Sequence, residues 1–203
     1  MSWLDSKQQY IIAARRIEST VQVVSKDHWL WSALWWVGVI FTLGALALGI
    51  SKSVFLERFA TTIGPVQGYP SSWSLLKMRT IAHESRHTKQ VVFFGWFVPV
   101  LGWITRSIRA WVGLIPGFCV YFLLPFPVYL AFGRYYLELD ADKVSFMTML
   151  EGGESAAVVL ERAESRAITL SGGSYLWCWP RSWAKKMHRK AAVQVILAYK
   201  LRI

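Results

Sequence analysis

From Trp29 to Ile50 the chain carries no charged side chain, and few folds accommodate such a run. A helix needs about 20 apolar residues to cross the hydrocarbon core of a bilayer. Trp29, Trp31, Trp35 and Trp36 crowd the first half of the run, and Trp favours the membrane–water boundary because its ring is apolar at one end and hydrogen-bonds at the other. A buried core helix can be equally apolar, but the length and the tryptophan clustering together predict a transmembrane helix over residues 28–50. The composition agrees. Only 17% of the 203 residues are charged, while 54% are hydrophobic and twelve are Trp, against about 25% charged in an ordinary soluble domain.

Lys and Arg number 23 and Asp and Glu 12, a formal net charge of +11. Such a balance suits nucleic acid, anionic lipid or acidic partners. No nucleic-acid-binding motif interleaves with these charges, whereas Trp177, Trp179 and Trp183 flank Arg181. The expected partner is therefore a lipid bilayer with anionic headgroups, and not nucleic acid. Cys119 and Cys178 form no CxxC pair and predict no disulfide framework. Residues 1–27 lack an apolar core followed by a small-residue cleavage site, so no cleaved signal peptide is expected. Ile11, Ile12, Ile17, Val21 and Val24 recur among charged residues at helical spacing and predict an amphipathic helix over 5–27.

Gly64, Pro65, Gly68 and Pro70 break residues 51–73 into loop, with room for a short strand between Arg58 and Gly64. A helix is expected from Ser71, Ser72 or Ser74 onward. Two apolar runs then form a hydrophobic hairpin over 91–133, crossing or re-entering the membrane, with Pro99, Pro116, Pro125 and Pro127 interrupting it. Further helices pass through Glu138 to Gly152 and from Ser155 to Leu170, each ended by a Gly pair. Residues 171–203 form a basic, aromatic C-terminal segment.

The chemistry concentrates in His83-Glu84-Ser85-Arg86-His87. Residues four apart share a helical face, so both imidazoles can grip one metal ion. Zinc takes three protein ligands in catalytic sites and leaves a fourth position to water. Glu84, about 100° around the helix from His83, can reach that water and take its proton as it attacks a peptide carbonyl. A third histidine in the form HExxHxxGxxH is excluded, because Gln90 stands at the Gly position. The other arrangement draws a carboxylate from a second helix. Glu138 and Asp142 fit it, one as ligand and the other orienting an imidazole, while Asp140 points elsewhere. His188, Tyr135, Tyr136 and Arg134 are candidates to stabilise the oxyanion or hold substrate.

HExxH followed by Glu138-x-x-Ala141-Asp142 beyond an apolar stretch resembles the membrane gluzincin metallopeptidases, the HtpX and CAAX prenyl protease group. The likeness covers roughly residues 75–145. It implies zinc held by His83, His87 and Glu138, with Asp142 behind a ligand imidazole. The expectation is a mainly α, membrane-associated zincin-like core, with a transmembrane helix over 28–50 and a metallopeptidase core over 51–170. It would be integral to the inner (cytoplasmic) membrane, with the catalytic side facing the cytoplasm. The expected activity is that of a zinc-dependent membrane endopeptidase acting on a peptide or membrane-protein substrate. The alternative is a non-catalytic membrane structural, assembly or permeabilising protein with a relic or structural metal site.

Overall fold

A computed structural model describes residues 3–41, 45–73, 77–95, 108, 111–114, 116, 132–175 and 179–202. Eight helices are described: α1 (Trp3–Ile17), α2 (Trp29–Phe41), α3 (Ala45–Gly49), α4 (Lys52–Arg58), α5 (Met78–Gly95), α6 (Phe132–Glu151), α7 (Ala156–Leu170) and α8 (Arg181–Lys200). Three short strands, β1 (Gln22–Ser25), β2 (Thr61–Ile63) and β3 (Val66–Tyr69), form a sheet in the order β1-β3-β2. β1 runs parallel to β3 and β2 antiparallel to it. The expectation of a mainly α chain with a short strand before Gly64 matches these elements.

The membrane expectation does not match. Among the described residues no helix is long and apolar enough to cross a membrane. The uncharged run contains the 13-residue α2 and the 5-residue α3. At 1.5 Å per residue α2 spans about 20 Å, against the roughly 30 Å of a hydrocarbon core. Part of the run packs inside the protein: Trp31 and Trp35 are buried, with the Trp31 ring against Gly68 of β3, where any Cβ would collide with it, while Trp29, Trp36 and Ile40 on the same helix are exposed. The shortness of these helices overturns the transmembrane helix and, with it, the assignment to the inner membrane as an integral protein. Residues 91–95 belong to the last turns of α5, and most of the expected hairpin lies outside the described residues.

The predicted helix over 5–27 is also corrected. Helix α1 stops at Ile17, and Gln22–Ser25 form a strand instead. Val23 and Val24 are stiff at χ1 and fit a pleated ladder better than a helix. β2 and β3 form a hairpin through Gly64 and Pro65, and Gly64 has φ 59°, a conformation that Gly adopts without steric cost.

Two layers meet at α5. One face of α5 packs against α1 and the sheet around Tyr10, Ala14, Val21, Tyr69 and Ile81. Buried Gln67 of β3 donates to Ser85 Oγ and Thr88 Oγ1, both at 3.3 Å, which fixes the rotation of α5 about its axis. The other face meets α6 in antiparallel register. Helices α6, α7 and α8 share an apolar core that includes Phe146, Met149, Val159, Ala163, Ala192 and Val195. α6 ends in a Schellman turn: Gly153 at φ 86° donates to Leu150 and Glu154 N–H reaches Met149. α7 begins on Ser155, whose hydroxyl accepts from Val158 N–H.

Candidate metal centre

The rotation of α5 set by Gln67 turns His83 and His87 toward α6. There His83 Nε2 and His87 Nε2 lie 3.2 Å apart, and Glu138 Oε2 is 3.3 Å from the first and 3.7 Å from the second. Three ligands held at about 2.0–2.1 Å by a tetrahedral zinc ion stand about 3.3 Å from one another. The donor set thus fits a zinc ion in type and in spacing. The outer ring nitrogens fit as well. His83 Nδ1 donates to Asp142 Oδ1 at 3.1 Å, and His87 Nδ1 lies 2.9 Å from Gln90 Oε1. Both hydrogen bonds place a proton on Nδ1 and leave the Nε2 lone pair for a metal.

Glu84 lies beside this triad on the sheet side and is only 7% exposed. Its Oε2 accepts from the Thr62 hydroxyl at 2.6 Å, so β2 holds the carboxylate in place. Asp142 is gripped from three sides. Besides His83 it accepts from Arg166 Nε at 2.8 and 3.0 Å and from His188 Nε2 at 3.1 Å. Arg166 also reaches Glu138 Oε2 at 3.1 Å, and its guanidinium carbon lies 5.5 Å from the Tyr175 ring centre. Glu84, Glu138 and Asp142 bring three carboxylates around the one enclosed guanidinium of Arg166, with the charges of Lys26 and Arg162 also felt at Glu84 and Asp142.

Without a metal, protons take its place. Burial works against a charged His83, but hydrogen bonds to Asp142 and Glu138 outweigh it and raise the imidazole to about 10. His87 is raised too, burial being overcome by the charge of Glu138. Burial alone would raise Glu138 and Asp142. The imidazoles push Glu138 well below the carboxylate range, and Arg166, His188 and His83 do the same to Asp142. Burial and the Glu138 charge raise Tyr175, so its hydroxyl stays protonated and can donate.

The remaining sequence candidates stand elsewhere. His188 is fully buried, its Nε2 on Asp142 and its Nδ1 3.1 Å from the Tyr135 hydroxyl. Both residues therefore brace Asp142 from behind and do not face an oxyanion. Tyr136 is 49% exposed on another side of α6, and Arg134 is buried in the protein interior. Asp140 points away from the triad, as expected, and forms a two-point ion pair with Arg86 at 2.6 and 3.1 Å.

Sequence reasoning missed Arg166, Tyr175, Thr62 and the role of Gln90. One signal pointed to Arg166. It falls on the helical stripe of Val159, Ala163, Ala167 and Leu170, all buried, where an unpaired cation would be costly. Comparison with known proteins finds no matching family model, no matching curated protein and no matching solved structure.

Proposed function

We propose that the protein is a zinc-dependent peptidase, with zinc held by His83, His87 and Glu138 and with Glu84 as general base. The observation that carries this reading is the mutual spacing of the three donor atoms, 3.2, 3.3 and 3.7 Å. The likeness of HExxH and Glu138-x-x-Ala141-Asp142 to the gluzincin core supports it. When bound, zinc supplies a Lewis acid that lowers the pKa of water and polarises a carbonyl. Glu84 takes the proton of the attacking water and returns it to the leaving amine, while the Thr62 hydroxyl keeps its carboxylate aimed. Asp142 and Gln90 hold the two imidazoles in the ligating tautomer. Among the described residues β2 pairs only with β3, so its other edge can align an extended peptide by main-chain hydrogen bonds beside Glu84.

One observation favours a second reading, a non-catalytic protein with a structural metal site. His83 and Glu84 are 9% and 7% exposed, which restricts access to the centre. The two readings separate in one experiment. Zinc content and cleavage of a quenched-fluorescent peptide library are measured for wild type and Glu84→Gln. The peptidase reading expects about one zinc per chain in both proteins, and a cleavage rate at least about 100-fold lower in the variant. Zinc in both with no Glu84-dependent cleavage favours the structural site. Absence of zinc from both defeats either reading.

A further inference from the structure

On the side of α5 away from Glu84, the α5–α6 seam opens into a cavity of about 390 Å³, within the range of about 300–1,000 Å³ typical of small-molecule sites. Glu84 and Arg86 are two residues apart, about 200° around the helix, so this cavity is not the approach to the general base. Arg86, Lys89 and Lys143 line it with Phe93 and Tyr136, and Gln90 and Asp140 form its floor. Three cations thus face one carboxylate. Asp140 engages Arg86, and among the described residues Lys89 and Lys143 form no ion pair. Phe93 and Tyr136 are 58% and 49% exposed, so the surplus positive charge stands beside partly exposed aromatic rings.

We propose that this cavity binds a carboxylate carrying an apolar group, either a fatty acid or the free C-terminus of an apolar peptide, and that its occupancy is transmitted to the metal centre through Gln90. The carboxylate pairs with Arg86, which offers a fork of N–H donors matched to that shape, with Lys89 and Lys143 adding charge. The apolar group covers Phe93 and Tyr136. Gln90 lies between the cavity and the ligands: its Nε2 donates to Asp140 Oδ2 at 2.8 Å and to Leu137 O at 3.0 Å, while its Oε1 is 2.9 Å from His87 Nδ1. A ligand that draws Arg86 from Asp140 leaves Asp140 a stronger acceptor for Gln90. The amide polarises, its oxygen pulls harder on the His87 Nδ1 proton, and His87 Nε2 becomes a better metal donor. Zinc and ligand then tighten each other by the same factor. This transmission rests on the metal centre proposed above; the binding site does not.

The test is calorimetric titration of the full chain, metal-free and zinc-loaded, with octanoate, N-acetyl-leucyl-phenylalanine, its C-terminal amide and inorganic phosphate. The expected result is one site per chain for octanoate or for the free-acid dipeptide, whichever binds tighter naming the source. The amide and phosphate should bind at least about tenfold more weakly, and so should the carboxylate to Arg86→Met and to Lys143→Glu. Saturation should raise zinc affinity, measured by chelator competition, by roughly fivefold. Gln90→Leu should lose this coupling, with octanoate affinity measured alongside it. No carboxylate binding at millimolar concentration, equal binding of the amide or phosphate, or undiminished binding to both charge variants overturns the site. Unchanged zinc affinity on saturation, or coupling retained in Gln90→Leu, overturns the transmission. Ligand binding without any zinc binding leaves the site standing and defeats the transmission together with the metal centre.

Discussion

At the scale of single residues, the hydrogen bonds behind the two imidazoles decide how well the Nε2 atoms serve a metal. Asp142 behind His83 and Gln90 behind His87 differ in charge, so they should differ in effect. Asp142→Asn removes a carboxylate that also anchors Arg166 and His188. It is expected to lower zinc affinity by about 10–100-fold, the usual range for partners of ligating imidazoles. Gln90→Leu removes a neutral acceptor and should stay at the lower end of that range. Chelator competition with both purified variants checks the order. A larger loss for Gln90→Leu would mean that Asp142 does not govern His83. Glu84, His83 and His87 were legible in the sequence because their spacing maps directly onto a helix. Glu138 and Asp142 were legible through the second motif. Arg166 and Thr62 were not, because each reaches the site only through the packing of elements remote in sequence.

At the scale of elements, Arg166 ties α7 to α6, and its guanidinium is nearly enclosed with Glu138 and Asp142. Removing one partner of a buried pair costs about 3–5 kcal/mol, because the other charges stay buried without compensation. Arg166→Met should destabilise the metal-free protein by about that amount in urea unfolding, and zinc should restore part of the loss. Loss of less than about 1 kcal/mol would show that the pair is solvated in solution. Lys26 plays a comparable role beneath the sheet. Its ammonium donates to Phe55 O at 2.9 Å and to Thr61 Oγ1 at 2.6 Å and lies 3.9 Å from the Phe55 ring centre. Burial lowers its pKa from 10.5 to about 7, against the opposing pull of Glu84. The unfolded chain therefore binds this proton more tightly than the folded one. The cost is complete below pH 7 and fades as the pH rises toward 10.5. Wild-type stability relative to Lys26→Met should rise over that interval, measured by urea unfolding at pH 6.5, 8 and 9.5. A flat difference would place the Lys26 ammonium in water. The uncharged run ahead of α3 shows why element length was misjudged. Hydropathy reports composition and not helix length: Trp31 and Trp35 pack inside the protein while Trp29, Trp36 and Ile40 stay exposed on a helix of 13 residues.

For the whole molecule, the ionised cluster makes stability a function of both pH and metal. His83 is raised from 6.5 to about 10, so its contribution to metal-free stability is complete below pH 6.5 and lost as the pH rises through 10. Glu138 and Asp142 are lowered, so theirs is present above the ordinary carboxylate range and lost on acidification. The cluster therefore supports the metal-free fold best between about pH 4.5 and 6.5. Zinc must displace the imidazole protons, so the rise in melting temperature on adding excess zinc should grow from pH 6 to pH 9. A rise independent of pH would mean that zinc binds elsewhere. The helical class and helices α6 and α7 were legible because caps, Gly stops and periodicity act locally, whereas α5 starts at Met78 and not at the serines read as its N-cap. The turn of α1 into β1, and the pairing of β1 with β3, depend on contacts between residues more than forty positions apart, such as Gln22 with Val66.

The zinc K-edge X-ray absorption spectrum of zinc-loaded protein reads the proposed ligand set itself. Binding by His83, His87 and Glu138 should give one zinc per chain with four nitrogen or oxygen neighbours at about 2.0–2.1 Å, and the multiple scattering of two imidazoles. Six-fold coordination, a sulfur neighbour, or fewer than two imidazoles would contradict it.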